Sequence, residues 1–254
     1  MDELGSMRIA ALYDVHGNLP ALEAVLDEVG RAGVDAIVVG GDVVPGPMPR
    51  ECLERLRASA IPVEYIHGNG ESAVLDVLRG GAIERVPEVF RSSIRWCAEQ
   101  LTPELVAWLA TWPATIHLDV TGIGDTLFCH ATPRNDTEVF TRLSPDEWVR
   151  PMFAGVTAPL AVCGHTHMAF DRRLGALRIV NAGSVGMPFG PPGAYWARLG
   201  PDVEFRHTLY DLQIAATRIR LTSYPEAESF VSNQVLHPRS EQDVLAAYAR
   251  VDGR

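Results

Sequence analysis

Apolar and polar positions follow two rhythms along this chain. Arg8 to Tyr13 is a short β-favouring run that stops at Asp14. From Leu19 to Ala32 the apolar residues Leu22, Val25, Leu26 and Val29 recur at the spacing of one helix face, and Pro20 fits the first turn of that helix. Ala36 to Val39 predicts a second strand, closing on Gly40-Gly41-Asp42. Pro49 opens another helix with Cys52, Leu53 and Leu56 on one side, and a third strand, Val63 to Ile66, runs into His67-Gly68-Asn69. Strand, helix, strand, helix, strand implies parallel strands joined by right-handed crossovers. Sites in such sheets form just beyond the carboxyl ends of the strands. Those ends carry Asp14, Asp42 and Asn69.

Residues 71–112 read as helical, with Thr102-Pro103-Glu104 as a helix start and Val106, Leu109 and Ala110 as an apolar face. The rhythm then shortens. Ile116 to Val120 and Thr126 to Cys129 flank a turn containing Gly122 and Gly124, a hairpin signal. Residues 131–141 form a polar loop, and Ser144-Pro145-Asp146-Glu147 reads as a capping box opening a short helix. Further strands are expected at Leu160 to Cys163, Ala169 to Arg173, Leu177 to Val180, Tyr195 to Leu199 and Val203 to Thr208. The last four are separated by turns rather than helices, which predicts antiparallel pairing. From Asp211 onward the pattern predicts two or three helices broken at Pro225 and Pro238. The organisation is a single domain over 7–254, with 211–254 as a helical C-terminal appendage. Residues 1–6 read as a tag remnant ahead of a native start at Met7.

Composition narrows the function. An apolar share of 47% is ordinary for a folded domain. A net charge of −10 without a Lys/Arg cluster argues against non-specific nucleic-acid binding and against anionic membrane surfaces. No apolar run is long enough to span a membrane, and the acidic start at Asp2 and Glu3 is unlike a signal peptide. Cys52, Cys97, Cys129 and Cys163 are scattered, which predicts buried thiols in a reducing cytoplasm. A small phosphorylated substrate is compatible with this charge if bound cations supply a local positive field. A homo-oligomer is compatible as well.

Five short signals carry chemistry: Asp14-x-His16, Gly41-Asp42, Gly68-Asn69, His130 after an apolar strand, and Gly164-His165-Thr166-His167. Each alone is weak, since an Asp at a strand end is ordinarily a turn residue. Together they place carboxylate, imidazole and amide-oxygen donors at strand ends that converge on one edge. These donors suit divalent transition metals and are too many for one tetrahedral ion.

On these motifs, from about Arg8 to about Leu209, the chain resembles the calcineurin-like metallophosphoesterase superfamily, and within it the small bacterial and archaeal phosphodiesterase branch. The stretch Asn181-Ala182-Gly183-Ser184-Val185-Gly186 is similar to a structural loop of that branch. The resemblance implies a four-layer αββα sandwich and two divalent transition-metal ions, Mn²⁺ first, with Fe, Ni²⁺ or Zn²⁺ as alternatives. Asp14, His16 and His167 would hold one ion, Asn69, His130 and His165 the other, and Asp42 would bridge them. The implied reaction is hydrolysis of a phosphodiester or phosphomonoester by in-line attack of a metal-bridging hydroxide. Asp42 and His130 belong to the implied catalytic set.

One departure bears on mechanism. Where superfamily members often carry a leaving-group acid after the Asn ligand, this chain has Gly70. His67 is the candidate substitute, and Asn18 and Arg134, with Thr132, are candidate substrate contacts. His117 and His207 read as ordinary strand residues, His237 as a helix-end residue, and the tryptophans as packing. Two alternatives stand beside the diesterase: a dinucleoside polyphosphate or protein phosphatase, and a protein-interaction scaffold of the same fold with little or no catalysis.

Overall fold

The computed structural model describes residues 6–81, 83 and 86–253. Of the segment expected to precede the native start, Ser6 alone is among them; residues 1–5 lie outside. Strand β1 (Ile9–Leu12) is followed by α1 (Leu19–Val29), β2 (Ala36–Val39), α2 (Pro49–Arg57) and β3 (Val63–Tyr65). Asn18 caps α1 through its side-chain oxygen, and α1 buries Leu22, Val25, Leu26 and Val29, the face its spacing predicts. Emptying one of these positions, as in Leu22→Ala, would cost about 2–5 kcal/mol.

The region expected to be helical holds α3 (Asn69–Leu78), α4 (Glu88–Gln100) and α5 (Pro103–Leu109), the last capped by Thr102. Then come β4 (Thr115–Val120), β5 (Gly124–Cys129), α6 (Asp146–Val149), β6 (Leu160–Cys163), β7 (Phe170–Leu174), β8 (Leu177–Asn181), β9 (Ala194–Leu199) and β10 (Val203–Thr208). The tail holds α7 (Leu212–Arg220), α8 (Ala227–Phe230), running into a wider helical turn over Val231–Leu236, and α9 (Glu241–Tyr248). Pro225 and Pro238 fall at its breaks.

Two five-stranded mixed sheets result, ordered β10-β9-β1-β2-β3 and β4-β5-β6-β8-β7. The two-residue period of the strands assigns their faces. Ile9, Ala11 and Tyr13 point between the sheets to meet Phe128, Leu160 and Val162, while Ala10 and Leu12 turn to the helices on Leu22, Leu53 and Cys97. Ala161 and Cys163 of β6 face outward onto Met152 and Phe153. This is an αββα sandwich. The Tyr13 hydroxyl donates to the Val162 carbonyl at 3.0 Å and links the two sheets through the middle.

Pairing of the late strands departs from expectation. β7–β8 and β9–β10 are antiparallel, but β8 lies parallel to β6, and β9 crosses to the other sheet beside β1. Lack of a helix between two strands does not oblige them to pair in chain order. The expected capping box also differs. The first helical residue is Asp146, preceded by Pro145, while the Ser144 hydroxyl accepts from the Thr141 N–H at 2.8 Å. Ser144 closes the preceding turn instead of capping α6.

Candidate metal centre

β1, β2, β5 and β6 all end at one edge of the sandwich, and the five sequence signals sit just past those ends. The backbone there is unusual. Asp14, His16, Asp42, His165 and His167 have φ of 54°, 45°, 53°, 66° and 57°, and they are the non-glycine residues with positive φ among those described. Left-handed backbone costs a non-glycine residue about 1–3 kcal/mol and persists where surrounding structure imposes it, most often at functional sites.

Two groups of donors come together, Asp14 with His16 and His167, and Asp42 with His130 and His165; within each the donor atoms lie within 4.8 Å of one another. Asp42 faces both. Its Oδ2 is 3.6 Å from His16 Nε2, and its Oδ1 is 3.5 Å from His130 Nε2. Asn69 Oδ1 lies 3.0 Å from His130 Nε2, and the Nε2 atoms of His16 and His167 approach to 3.2 Å. Asp14 Oδ2 accepts from the His165 N–H at 2.9 Å, whereas Asp14 Oδ1 is buried with no hydrogen-bond partner. An ionised oxygen is costly to bury unpaired. A cation between these donors would satisfy it, so the residues fit divalent metal.

The imidazoles are aimed from behind. A carbonyl can only accept, so contacts of His130 Nδ1 with Gly40 O at 2.9 Å, His16 Nδ1 with Pro45 O at 3.2 Å and His167 Nδ1 with Met187 O at 2.8 Å place the proton on Nδ1. Each neutral ring then turns its Nε2 lone pair to the centre, the usual way a ligating histidine is oriented. Burial pushes His16 and His165 down to about 3, with the neighbouring His167 and His130 respectively adding to it. Burial also works against charge on His130 and His167, but the Asp42 and Asp14 carboxylates outweigh it and raise both. Asp14 is buried too, yet its histidines, His167 foremost, hold it well below the usual carboxylate range. Asp42 is pushed up to about 6, by burial first.

Sequence reading missed several supports. Glu71 is fully buried and accepts from the backbone N–H of Asp42, Val43, Val44 and Gly68 at 2.7–3.1 Å, tying the β2 end to the start of α3. Its signal was present, a Glu at the third position of a helix opening on Gly68-Asn69. Ser184 Oγ donates to the Asp14 carbonyl, and Asn181 Nδ2 donates to Thr166 Oγ1 between the two last histidines. Phe189 stacks on His167 at 5.7 Å and packs with Met168, Val244, Leu245 and Tyr248, so α9 braces this flank. Nothing local in the tail announces that contact.

Other expected residues fall differently. His67 is half-buried beside the centre, with Nδ1 at 3.3 Å from Ser72 Oγ. Arg134 and His67 line one cavity beside His130, but the Arg134 guanidinium is engaged by Glu138 and by the Pro151 carbonyl. Thr132 also lines it, though its hydroxyl donates to Glu138 at 2.7 Å. Asn18, expected as a substrate contact, is fully buried. Its oxygen caps α1 and its amide donates to Gly186 and Tyr210, so no face of it is open to a ligand. A Cβ on Gly70 would overlap the Val44 carbonyl oxygen, so backbone fills the space a leaving-group acid would need, while Gly70 N–H donates to Asp42 Oδ1 at 2.7 Å. His117 and His207 lie in β4 and β10, and His237 ends the helical turn before α9. All four cysteines are buried and free. No helix among the described residues is long and apolar enough to cross a membrane.

Residues 7–200 match the family model described as the calcineurin-like phosphoesterase superfamily domain. An uncharacterized protein of Methanocaldococcus jannaschii is 29% identical over 197 residues, 71% of this chain and 76% of that one. Phosphodiesterase YfcE of Escherichia coli is 33% identical over 81 residues, 28% of this chain and 44% of that one. A solved metallophosphoesterase from Sphaerobacter thermophilus superposes with a TM-score of 0.71 at 30% identity, covering 90% of this chain and 98% of that one. A hypothetical protein of Pyrococcus horikoshii OT3 gives 0.76 at 20% identity, over 92% and 99%, and so shares the fold.

Proposed function

The chain belongs to the calcineurin-like phosphoesterase superfamily and is a metal-dependent phosphoric ester hydrolase, and on that premise we propose that it hydrolyses phosphodiesters with two divalent transition-metal ions, Mn²⁺ first among them. Asp14, His16 and His167 would hold one ion and Asn69, His130 and His165 the other. Asp42, with one oxygen toward each group, would bridge them. The observation that carries this reading is the pair of donor groups around the unpaired buried Asp14 oxygen.

Bound divalent cations supply Lewis acidity, acidifying water and drawing charge from a phosphoryl oxygen. The chain's own residues do the rest. The carbonyls of Gly40, Pro45 and Met187 fix the histidine tautomers. Glu71 holds the backbone on either side of Asp42 and at Gly68. The left-handed turns at Asp14, His16, His165 and His167 preset donor directions before any ligand arrives, so little reorganisation is left for binding. The diester preference is supported by Gly70, whose position has no room for an acid, and by likeness to the Escherichia coli phosphodiesterase. A retained set of donors speaks against a purely structural scaffold.

The test is turnover of bis(p-nitrophenyl) phosphate by chelator-stripped protein before and after reconstitution with Mn²⁺, Fe²⁺, Ni²⁺ or Zn²⁺. Restored turnover with about two ions per chain is expected. No turnover with any of them, at full loading, would overturn the reading.

A further inference from the structure

Beside the His130 flank lies a cavity of about 240 Å³, walled by the loop after β5 and by His67. Its charges are already spoken for on one side and open on the other. Arg134 Nε and Glu138 Oε1 are 3.0 Å apart and Arg134 Nη1 donates to Pro151 O at 2.9 Å, so the guanidinium offers no uncompensated charge to a ligand. Asp136 uses Oδ2 to accept from Ser72 Oγ at 2.9 Å, and among the described residues its Oδ1 has no partner. Asn135 uses Oδ1 to accept from the Thr137 N–H and hydroxyl at 2.7 and 2.8 Å, which leaves its amide N–H₂ without a partner among them. Ser72 has one hydroxyl proton, given to Asp136, so its oxygen accepts from His67 Nδ1–H and the other ring nitrogen is left for the cavity.

Beyond the metal centre at His130, the cavity thus offers a carboxylate acceptor, an amide donor and an imidazole nitrogen. Further phosphates of a polyphosphate chain, reaching past the metal centre, would meet the Asp136 carboxylate there. A sugar with adjacent hydroxyls would give protons to Asp136 and accept one from Asn135. We propose that this cavity binds one ester arm of the substrate as an uncharged, diol-bearing sugar, making the substrate a ribonucleoside-type phosphodiester and not a dinucleoside polyphosphate. The proposal rests on the phosphodiesterase reading above and names the substrate class of that same site.

The experiment compares uridylyl-uridine, its 2′-deoxy counterpart deoxyuridylyl-deoxyuridine, diadenosine tetraphosphate and bis(p-nitrophenyl) phosphate on wild type and Asp136→Asn. A charge-assisted hydrogen bond lost without its charge should raise KM for uridylyl-uridine about tenfold or more. The readout is selective: bis(p-nitrophenyl) phosphate has no hydroxyl to lose, so the ratio of KM for uridylyl-uridine to KM for the nitrophenyl diester should rise about tenfold in the variant. Uridine should inhibit nitrophenyl turnover by wild type competitively and better than 2′-deoxyuridine does, a readout that needs no variant. Equal KM for the ribo and deoxy diesters with equal inhibition by the two nucleosides would overturn the proposal, as would preference for the tetraphosphate. If no diester is turned over at all, the functional reading fails instead; calorimetric binding of uridine to the metal-free protein then decides the cavity by itself, and absence of binding overturns it.

Discussion

The two donor groups of the centre share one chemistry and differ in what stands around them. Around His167 the Met187 carbonyl holds the ring from one side and Phe189 stacks on it, backed by Val244, Leu245 and Tyr248 of α9. Around His130 there is a cavity instead, walled by a loop that carries Thr132 to Asp136. The first flank is braced by a segment outside the matched residues 7–200, whereas the second opens onto a loop inside them. The contrast supports a proposed division of labour, in which the braced flank would fix an ion and the open flank would admit the ester. Asp42 groups with His130 and His165 but also faces His16, and the sharpest way to break the contrast is to remove it.

Asp42→Ala should lower diester turnover by about 10³-fold or more, equivalent to roughly 4 kcal/mol of transition-state stabilisation. Both donor groups lose a shared carboxylate that lies 3.6 Å from His16 and 3.5 Å from His130. Metal content by plasma emission should fall at both positions. If only one ion is lost and turnover stays near wild type, Asp42 is no bridge and the flanks act independently.

Bracing is tested next. Deletion of residues 240–254, or Phe189→Ala in the full chain, should weaken binding of one ion about 10–100-fold, the usual effect of losing support behind a ligand, and leave the other ion in place. Competition with a graded chelator would read two affinities where wild type shows closer ones. Equal weakening of both ions would mean that α9 steadies the whole fold and not the His167 flank.

These expectations also mark what was legible in the chain. The strand ends were, because a parallel sheet puts them on one edge and the donors follow apolar runs directly; Asp14, Asp42 and His130 sit where the pattern predicts. Glu71 is legible in principle from its third place in α3, where a carboxylate can reach free backbone N–H groups. Pairing of β9 with β1 was not legible, since nothing in a turn says which sheet the next strand joins. Asn18 was misjudged because proximity in sequence to Asp14 and His16 says nothing about which way an amide faces; it caps α1 and is sealed. The contact between α9 and Phe189 joins segments about fifty residues apart through apolar side chains, and apolar patterns name no partner.

Acidity should act on both flanks alike. His130 and His167, one in each donor group, are raised by neighbouring carboxylates despite burial, so without metal they keep protons to higher pH than an ordinary histidine. An ion needs neutral rings, so each ion displaces about one proton. Affinity is therefore full above the raised values and falls as pH drops through them, by about tenfold per unit at each site, and more steeply near 6, where Asp42 also takes up a proton. His16 and His165, held down to about 3, are neutral throughout and add nothing to this slope. Chelator competition between about pH 6 and 8.5 measures it. A pH-independent affinity would show that neither raised histidine binds metal.

The smallest effect is expected at His67, on the open flank. It is half-buried in the cavity wall, with Nδ1 tied to Ser72, and lies in the turn that leads to Asn69. If its work is to line the ester's berth, substitution should be felt by substrates that fill that berth and hardly by one that does not. Nitrophenolate leaves without needing a proton, so His67→Ala should keep kcat for bis(p-nitrophenyl) phosphate within about threefold of wild type. General-acid help is typically worth about 10²–10⁴ for a poor leaving group, so a graded series of aryl and alkyl diesters separates the roles. Wild type should already favour the aryl esters steeply, since backbone closes the position of Gly70 to any acid. A dependence that is flat in wild type and becomes steep in His67→Ala would make His67 the proton donor, and the open flank would then carry chemistry as well as recognition. A loss on the nitrophenyl ester as large as that of Asp42→Ala would go further and place His67 in the metal centre itself, erasing the distinction between the two flanks.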